Sequence, residues 1–237
     1  MTKTIDKPFF DHLEEMRNRI IKSLLSIILF SILGYIYSDK IIELLVVPVS
    51  DFNISFQVLK ITSIFLIKIG ISLIFGILFP FPVLLYQFLK FILPAFGNKI
   101  TLRRIFIIIL FCLFLFLLGL FFGYFILIPL SISFFSSLSI DLNFIEVNYT
   151  LENYLVYLIW ILIISSFIFQ LPFILLILNK IGIIDRKYLI NHRRHIIVLF
   201  FIFAAFFTPP DPISQILVVI PLYILFEISV LLIRINK

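Results

Sequence analysis

The chain has 237 residues, 62% of them hydrophobic and only 14% charged, where about a quarter charged is usual for a soluble domain, so an ordinary water-exposed globule is excluded. With 31 Phe beside 7 Gly, too little polar surface remains to cover such a globule, and the solvent of most of the chain must be lipid. The net charge of +6 does not signal nucleic acid, which needs basic residues gathered on one exposed surface among stacking aromatics. The single cysteine, Cys112, excludes an intramolecular disulfide and any Cys-based zinc or iron–sulfur site, and leaves the redox compartment undetermined.

The N-terminal segment, residues 1–19, reads as a short amphipathic helix entering a membrane directly. Phe9, Leu13, Met16 and Ile20 recur at spacings of 4, 3 and 4 along one face. Asp11 and Glu14 fit a D-x-x-E start of the capping-box kind. Glu15 has two readings: an i,i+4 pair with Arg19, or a carboxylate offered to an outside cation at the membrane interface. No cleavable signal peptide is expected, since a polar stretch precedes the first apolar run and no small-residue cleavage site follows it.

About 20 apolar residues cross roughly 30 Å of hydrocarbon. By that measure residues 23–38 form a first span, lengthened by Ile20 and Ile21 when Lys22 snorkels. Residues 69–89 form a second, with Lys68 snorkelling at its outer end. Residues 105–140 are too long for one crossing, and Pro129 with Ser131, Ser133, Ser136 and Ser137 is expected to end that span on the far side. Within it Gly119 and Gly123 form G-x-x-x-G, which lets a neighbouring helix approach closely or arises by chance. Asn148-Tyr149-Thr150 matches a glycosylation sequon of low specificity. Residues 153–179 form the fourth span, in which Gln170, before Leu171-Pro172, lies beyond easy reach of either interface.

After the basic pair Arg193-Arg194, the run 196–207 stops at Thr208-Pro209-Pro210-Asp211-Pro212, and a last run covers 213–226, then Glu227, then 228–233. Twelve residues give about 18 Å of helix and fourteen about 21 Å, so this final hairpin is expected to be short for a bilayer. Asp211 before Pro212 makes a good helix N-cap. Glu227 either snorkels inward, stays protonated or serves a function. The sum is an all-α integral membrane protein of six spans, residues 1–237 forming one membrane domain.

An even span count puts both termini on one side, and the basic residues choose it. Sixteen of 19 Lys and Arg lie in the terminal segments and the even-numbered loops, while the opposite loops carry Lys40 and Lys60 beside seven acids. Both termini are therefore expected on the cytoplasmic or stromal side. No catalytic motif is present: neither H-E-x-x-H, nor G-x-S-x-G, nor a phosphate-cradling glycine loop, and His12, His192 and His195 fall at cytoplasmic edges. The shortage of Ala and Gly beside abundant Phe and Ile hints at an AT-rich genome such as an organelle's.

Several stretches in order along the chain carry a resemblance. They are His12-Leu13-Glu14-Glu15-Met16-Arg17-Asn18-Arg19, Pro48, Pro82-Val83-Leu84-Leu85-Tyr86-Gln87, Phe91-Ile92-Leu93-Pro94, Phe169-Gln170-Leu171-Pro172 and Thr208-Pro209-Pro210-Asp211-Pro212-Ile213-Ser214-Gln215, with Phe226-Glu227. Together they resemble the TatC family, the multispanning subunit of the twin-arginine protein translocase. The resemblance implies six helices with both termini cytoplasmic or stromal, in a bacterial inner membrane or a plastid thylakoid. It implies a receptor that binds twin-arginine signal peptides of folded precursors and recruits single-span partners of the TatA and TatB type, driven by the proton-motive force. It implies a homo-oligomer within a receptor complex, no cofactor, no metal, no nucleic acid and no enzymatic step.

Carried over residue by residue, it places signal-peptide contact at Glu15, Arg17, Arg19, Phe91 and Pro94. It places partner docking or intramembrane polarity at Thr208, Asp211, Gln215, Gln170 and Glu227, and structural roles at Pro48 and Pro82. The chain departs from the pattern at Ile100, where the family has a second signal-binding acid after Pro94; Asp185 is another acid that could complete the site. Two other classes stay open. A small-solute transporter would show paired interrupted helices or a chain of midplane ionisable groups. An insertase or assembly factor would share the short hairpin without needing the Glu15 region.

Overall fold

In the computed structural model the residues described are 7–52, 56–92, 102–140, 149–207 and 212–235. Their backbone is almost entirely helical, as the hydropathy pattern requires: in lipid each peptide group must be satisfied within its own segment. Contacts group the chain into two units, Met1–Leu44 with Thr62–Leu113, and Leu45–Ile61 with Phe114–Lys237.

In the first unit α1 (Lys7–Ile36) runs 30 residues without a break, about 45 Å of helix. The amphipathic segment and the first span are thus one helix. Because α1 starts at Lys7, Asp11 and Glu14 lie inside it and do not form the expected cap; Glu14 instead accepts a 3.4 Å hydrogen bond from Arg17 one turn on. Leu13, Met16 and Ile20 stay exposed, so this stripe is covered by no other described part of the protein. After α2 (Ser38–Val46) and a loop, α3 (Ser63–Leu78) and α4 (Phe81–Ile92) replace the single second span and bend by 45° at their junction. The cause is Phe79-Pro80-Phe81-Pro82: two prolines in three residues remove two ladder donors. Pro80 carbonyl oxygen restarts the ladder, accepting from Val83 N–H at 2.8 Å and Leu84 N–H at 3.0 Å. Pro82, second in α4, costs nothing there because its N–H would have no partner.

α1 packs on α3 and α4, and the approach is close. A Cβ at Gly34 would stand 3.0 Å from Phe75 Cβ and 3.1 Å from Ser72 Cα; one at Gly76 would run into Ser31 Oγ and lie 2.8 Å from the Ile27 carbonyl. Lys68 Nζ is 2.7 Å from Asp39 Oδ1, which ties α3 to the first turn of α2.

The second unit begins with a 3-10 turn, Val47–Phe52, holding half-buried Pro48 and buried Val49. β1 (Phe56–Gln57) and β2 (Tyr149–Thr150) pair in parallel, Phe56 with Tyr149 and Gln57 with Thr150. This small bridge links two loops that the sequence treats as unrelated. Tyr154 reinforces it, donating its buried hydroxyl to Leu45 O at 2.8 Å and lying 4.8 Å from the Phe56 ring.

The third apolar run forms α5 (Leu102–Phe122), a π-turn at Gly123–Leu127 and α6 (Ile128–Ile140). Pro129 and the serines therefore do not end the helix as expected. The π-turn precedes Pro129 and widens the ladder where the proline supplies no donor. Ser131 Oγ turns back to Leu127 O at 2.8 Å and Ser137 Oγ to Phe134 O at 2.7 Å, which satisfies their hydroxyls inside the helix. Gly119 and Gly123 face α7 (Leu151–Ile168). A Cβ at Gly119 would be 2.7 Å from both Ser165 O and Ser166 Cα, and one at Gly123 would meet Ser165 Oγ. The G-x-x-x-G spacing is thus a packing face.

The fourth run is divided at Phe169–Gln170 into α7 and α8 (Leu171–Lys180). α8 closes at Gly182, whose φ of 83° only glycine adopts freely. Then follow α9 (Arg186–Asn191), α10 (Arg193–Phe207) and α11 (Pro212–Ile235). α10 is short, as expected, but α11 is not. Its apolar run stops at Glu227 while the helix continues to Ile235, for 24 residues in all, about 36 Å. The expectation of two short limbs holds for one limb only. Among the described residues four helices are long and apolar enough to cross a membrane, and five when α3 and α4 count as one bent span.

Candidate functional site

The N-terminal candidates lie on one stretch of α1. Glu15 and Arg19, four apart, face the same side of the helix, and Glu15 Oε1 accepts from Arg19 through both Nε, at 3.2 Å, and the terminal guanidinium nitrogen. The Arg19 side chain is 13% exposed and that of Glu15 42%. The pair expected from the spacing exists, and the Glu15 side chain stays partly exposed within it. Arg17 points away and pairs with Glu14, both being well exposed. Phe91, at the end of α4, is half-buried. Pro94, Ile100, Thr208 and Asp211 lie outside the described residues.

In the second unit the polar groups sort into two places. Gln170 occupies the junction between α7 and α8 and is 5% exposed. Its backbone N–H donates to Phe167 O and its carbonyl accepts from Ile174 N–H, both at 3.0 Å. The side chain is therefore buried at the break between the two helices. The Phe169 ring beside it packs tilted against Phe122, with centroids 5.4 Å apart. Those two rings, with Leu127, Ile164, Val218 and Leu222, line a small apolar groove.

Glu227 has two partners among the described residues. Its Oε2 accepts from an Arg193 guanidinium nitrogen at 2.8 Å, and its Oε1 accepts from the Tyr223 hydroxyl at 2.9 Å. Both carboxylate oxygens are thus engaged, one by a guanidinium and one by a hydroxyl. Tyr223 at i−4 was visible in the spacing; Arg193, 34 residues earlier, was not. Gln215 is half-buried in the first turns of α11 beside buried Ser214. Asp185 is exposed before α9 and makes no side-chain cap. Among the described residues no group of three or more His, Cys, Asp or Glu could hold a metal ion.

Comparison with known proteins agrees with this layout. The family described as "Sec-independent protein translocase protein (TatC)" matches residues 11–221. The chain is 33% identical over 238 residues to the Sec-independent protein translocase protein TatC of Carboxydothermus hydrogenoformans, covering 98% of this chain and 96% of that protein. It is 37% identical over 232 residues to a tatC-like protein of Reclinomonas americana, covering 96% and 87%. A crystal structure of the twin arginine translocase receptor TatC superposes with a TM-score of 0.77 at 30% identity, covering 94% of this chain and 98% of that one. With 94% of the chain superposed on that receptor and the family pattern running through both units, this protein belongs to the TatC family, as a multi-pass membrane subunit of the twin-arginine, Sec-independent protein translocase.

Proposed function

We propose that this chain is the signal-peptide receptor of its translocase, with Glu15 as the group that takes an arginine of the twin-arginine signal. The observation that carries this reading is the state of Glu15: a half-exposed carboxylate already holding a guanidinium fork, that of Arg19. An incoming arginine offers the same fork and charge, so the partly exposed carboxylate can accept it beside Arg19. Arg17, Phe91 and Pro94 complete the contact in this reading.

In the same reading the chain crosses the membrane six times, α10 being the short fifth crossing and α11 the sixth, with both termini cytoplasmic or stromal on the charge distribution. It forms a single membrane domain and works as a homo-oligomer in a bacterial inner membrane or a thylakoid. It recruits TatA- and TatB-type partners at the Thr208 to Gln215 turn and performs no covalent chemistry, transport being driven by the proton-motive force.

The test is site-specific crosslinking of the membrane-inserted chain to a twin-arginine precursor and to its twin-lysine counterpart. The arginine precursor should crosslink and the lysine one should not. A charge-assisted hydrogen bond contributes about 1.5–3 kcal/mol, so Glu15→Gln should weaken precursor binding by roughly tenfold to a hundredfold, and Glu15→Lys should abolish it with insertion intact. Equal binding of both precursors, or unchanged binding by Glu15→Lys, overturns the reading and favours an insertase without twin-arginine specificity.

A further inference from the structure

The segment between α8 and α10 is built for neither water nor hydrocarbon alone. Gly182 turns the chain sharply after α8, and Ile181, Ile183 and Tyr188 emerge 49%, 66% and 54% exposed. Residues 180–194 also carry Lys180, Arg186, Lys187, Arg193 and Arg194 against one acid, Asp185. Arg193 is engaged by Glu227, whereas Lys187 and Arg194 are exposed. Arg186 and Arg193 each hold Nε out of solvent with no hydrogen-bond acceptor among the described residues. Exposed apolar bodies interleaved with cations are stable where a bilayer changes from glycerol to phosphate, and costly elsewhere.

The Arg193–Glu227 pair fixes the level of this segment. Glu227 stops eight residues short of Ile235, the end of α11, which is about 12 Å of helix. α10 therefore begins below the level that α11 reaches. α9 packs against α11 and buries Leu189, which holds Arg186 and Lys187 on the same unit.

We propose that residues 180–194 form a binding site for an anionic phospholipid. The headgroup phosphate is taken by Arg186, Lys187 and Arg194, and Ile181, Ile183 and Tyr188 rest against the glycerol and upper acyl region. Charge complementarity selects the lipid: the segment has a surplus of cations after Arg193 is paired, and a zwitterionic headgroup would bring a cation of its own beside them. The exposed isoleucines favour a lipid over an acidic protein segment, since only the lipid covers them.

The experiment uses the full chain in phosphatidylcholine nanodiscs containing a minor fraction of phosphatidylglycerol, with spin-labelled forms of each lipid reporting the fraction immobilised on the protein. Wild type should retain phosphatidylglycerol over phosphatidylcholine. One Lys or Arg near an anionic surface is worth about 1 kcal/mol, or roughly fivefold, so Lys187→Gln with Arg194→Gln should cut the preference by about fivefold or more. Both side chains are exposed, so this variant keeps the fold; adding Arg186→Gln should take the preference to parity. Asp185→Asn should raise it, and Lys40→Gln with Lys60→Gln, in the opposite loops, should leave it unchanged. An unchanged preference in the double variant, an equal loss in the Lys40 and Lys60 control, or crosslinking of the segment to an acidic protein with no lipid preference each overturns the proposal.

Discussion

Gly119→Ala tests the closest helix contact in the second unit. The new Cβ would stand 2.7 Å from Ser165 O, 2.7 Å from Ser166 Cα and 3.0 Å from Phe169 Cβ. The first two are backbone atoms, so no rotamer change relieves them and α7 must move back. Such overpacking costs about 1–3 kcal/mol, against a gain of up to about 1 kcal/mol for replacing Gly by Ala in a helix. The net is a loss of up to about 2 kcal/mol, or up to roughly 8 °C in Tm for a chain of this size. Gly123→Ala should behave differently. Its clash is with Ser165 Oγ, which can rotate away at the loss of its 3.2 Å bond to Leu162 O, about 1 kcal/mol, so the change should be near neutral. Ser165→Ala should make Gly123→Ala stabilising while leaving Gly119→Ala impaired. Gly70→Ala, where a Cβ meets nothing within 4 Å, should raise Tm slightly. The assay is thermal unfolding of the detergent-purified fluorescent fusion, read by size-exclusion chromatography. A Gly119→Ala Tm at or above wild type, or rescue of Gly119→Ala by Ser165→Ala, would refute the packing argument.

Two further outcomes follow from the polar groups of the second unit. Glu227→Gln removes the charge that holds Arg193; both side chains are partly exposed, so the loss should be about 1–2 kcal/mol, between the values for surface and buried pairs. Arg193→Met with Glu227→Leu should lose less than either single change, measured as Tm in the same assay, because no unpaired ion is left behind. Replacing Thr208 and Gln215 together by Leu should leave the chain inserted and precursor-bound but lower copurification of the single-span partner; undiminished recovery and transport would remove the hairpin as its docking place.

The membrane environment, the approximate place of each apolar run and the helical class were legible in the sequence because transfer free energy is close to additive along a chain. Any contiguous apolar stretch declares itself regardless of what it packs against. The G-x-x-x-G face of Gly119 and Gly123 and the Glu15–Arg19 pair were legible for a related reason: helical periodicity alone puts residues three and four apart on one side. What tertiary structure decided were the breaks and the partners. Prolines announce a lost hydrogen bond but not the response. At Phe79-Pro80-Phe81-Pro82, where two ladder donors are lost, the helix bends by 45°, while before the single Pro129 it widens into a π-turn and continues. Lys68 found Asp39, Glu227 found Arg193 and Tyr154 found the Leu45 carbonyl, separations of 29, 34 and 109 positions. An ionic or hydroxyl group records in the sequence only that it needs a partner; which partner it meets depends on how the helices pack.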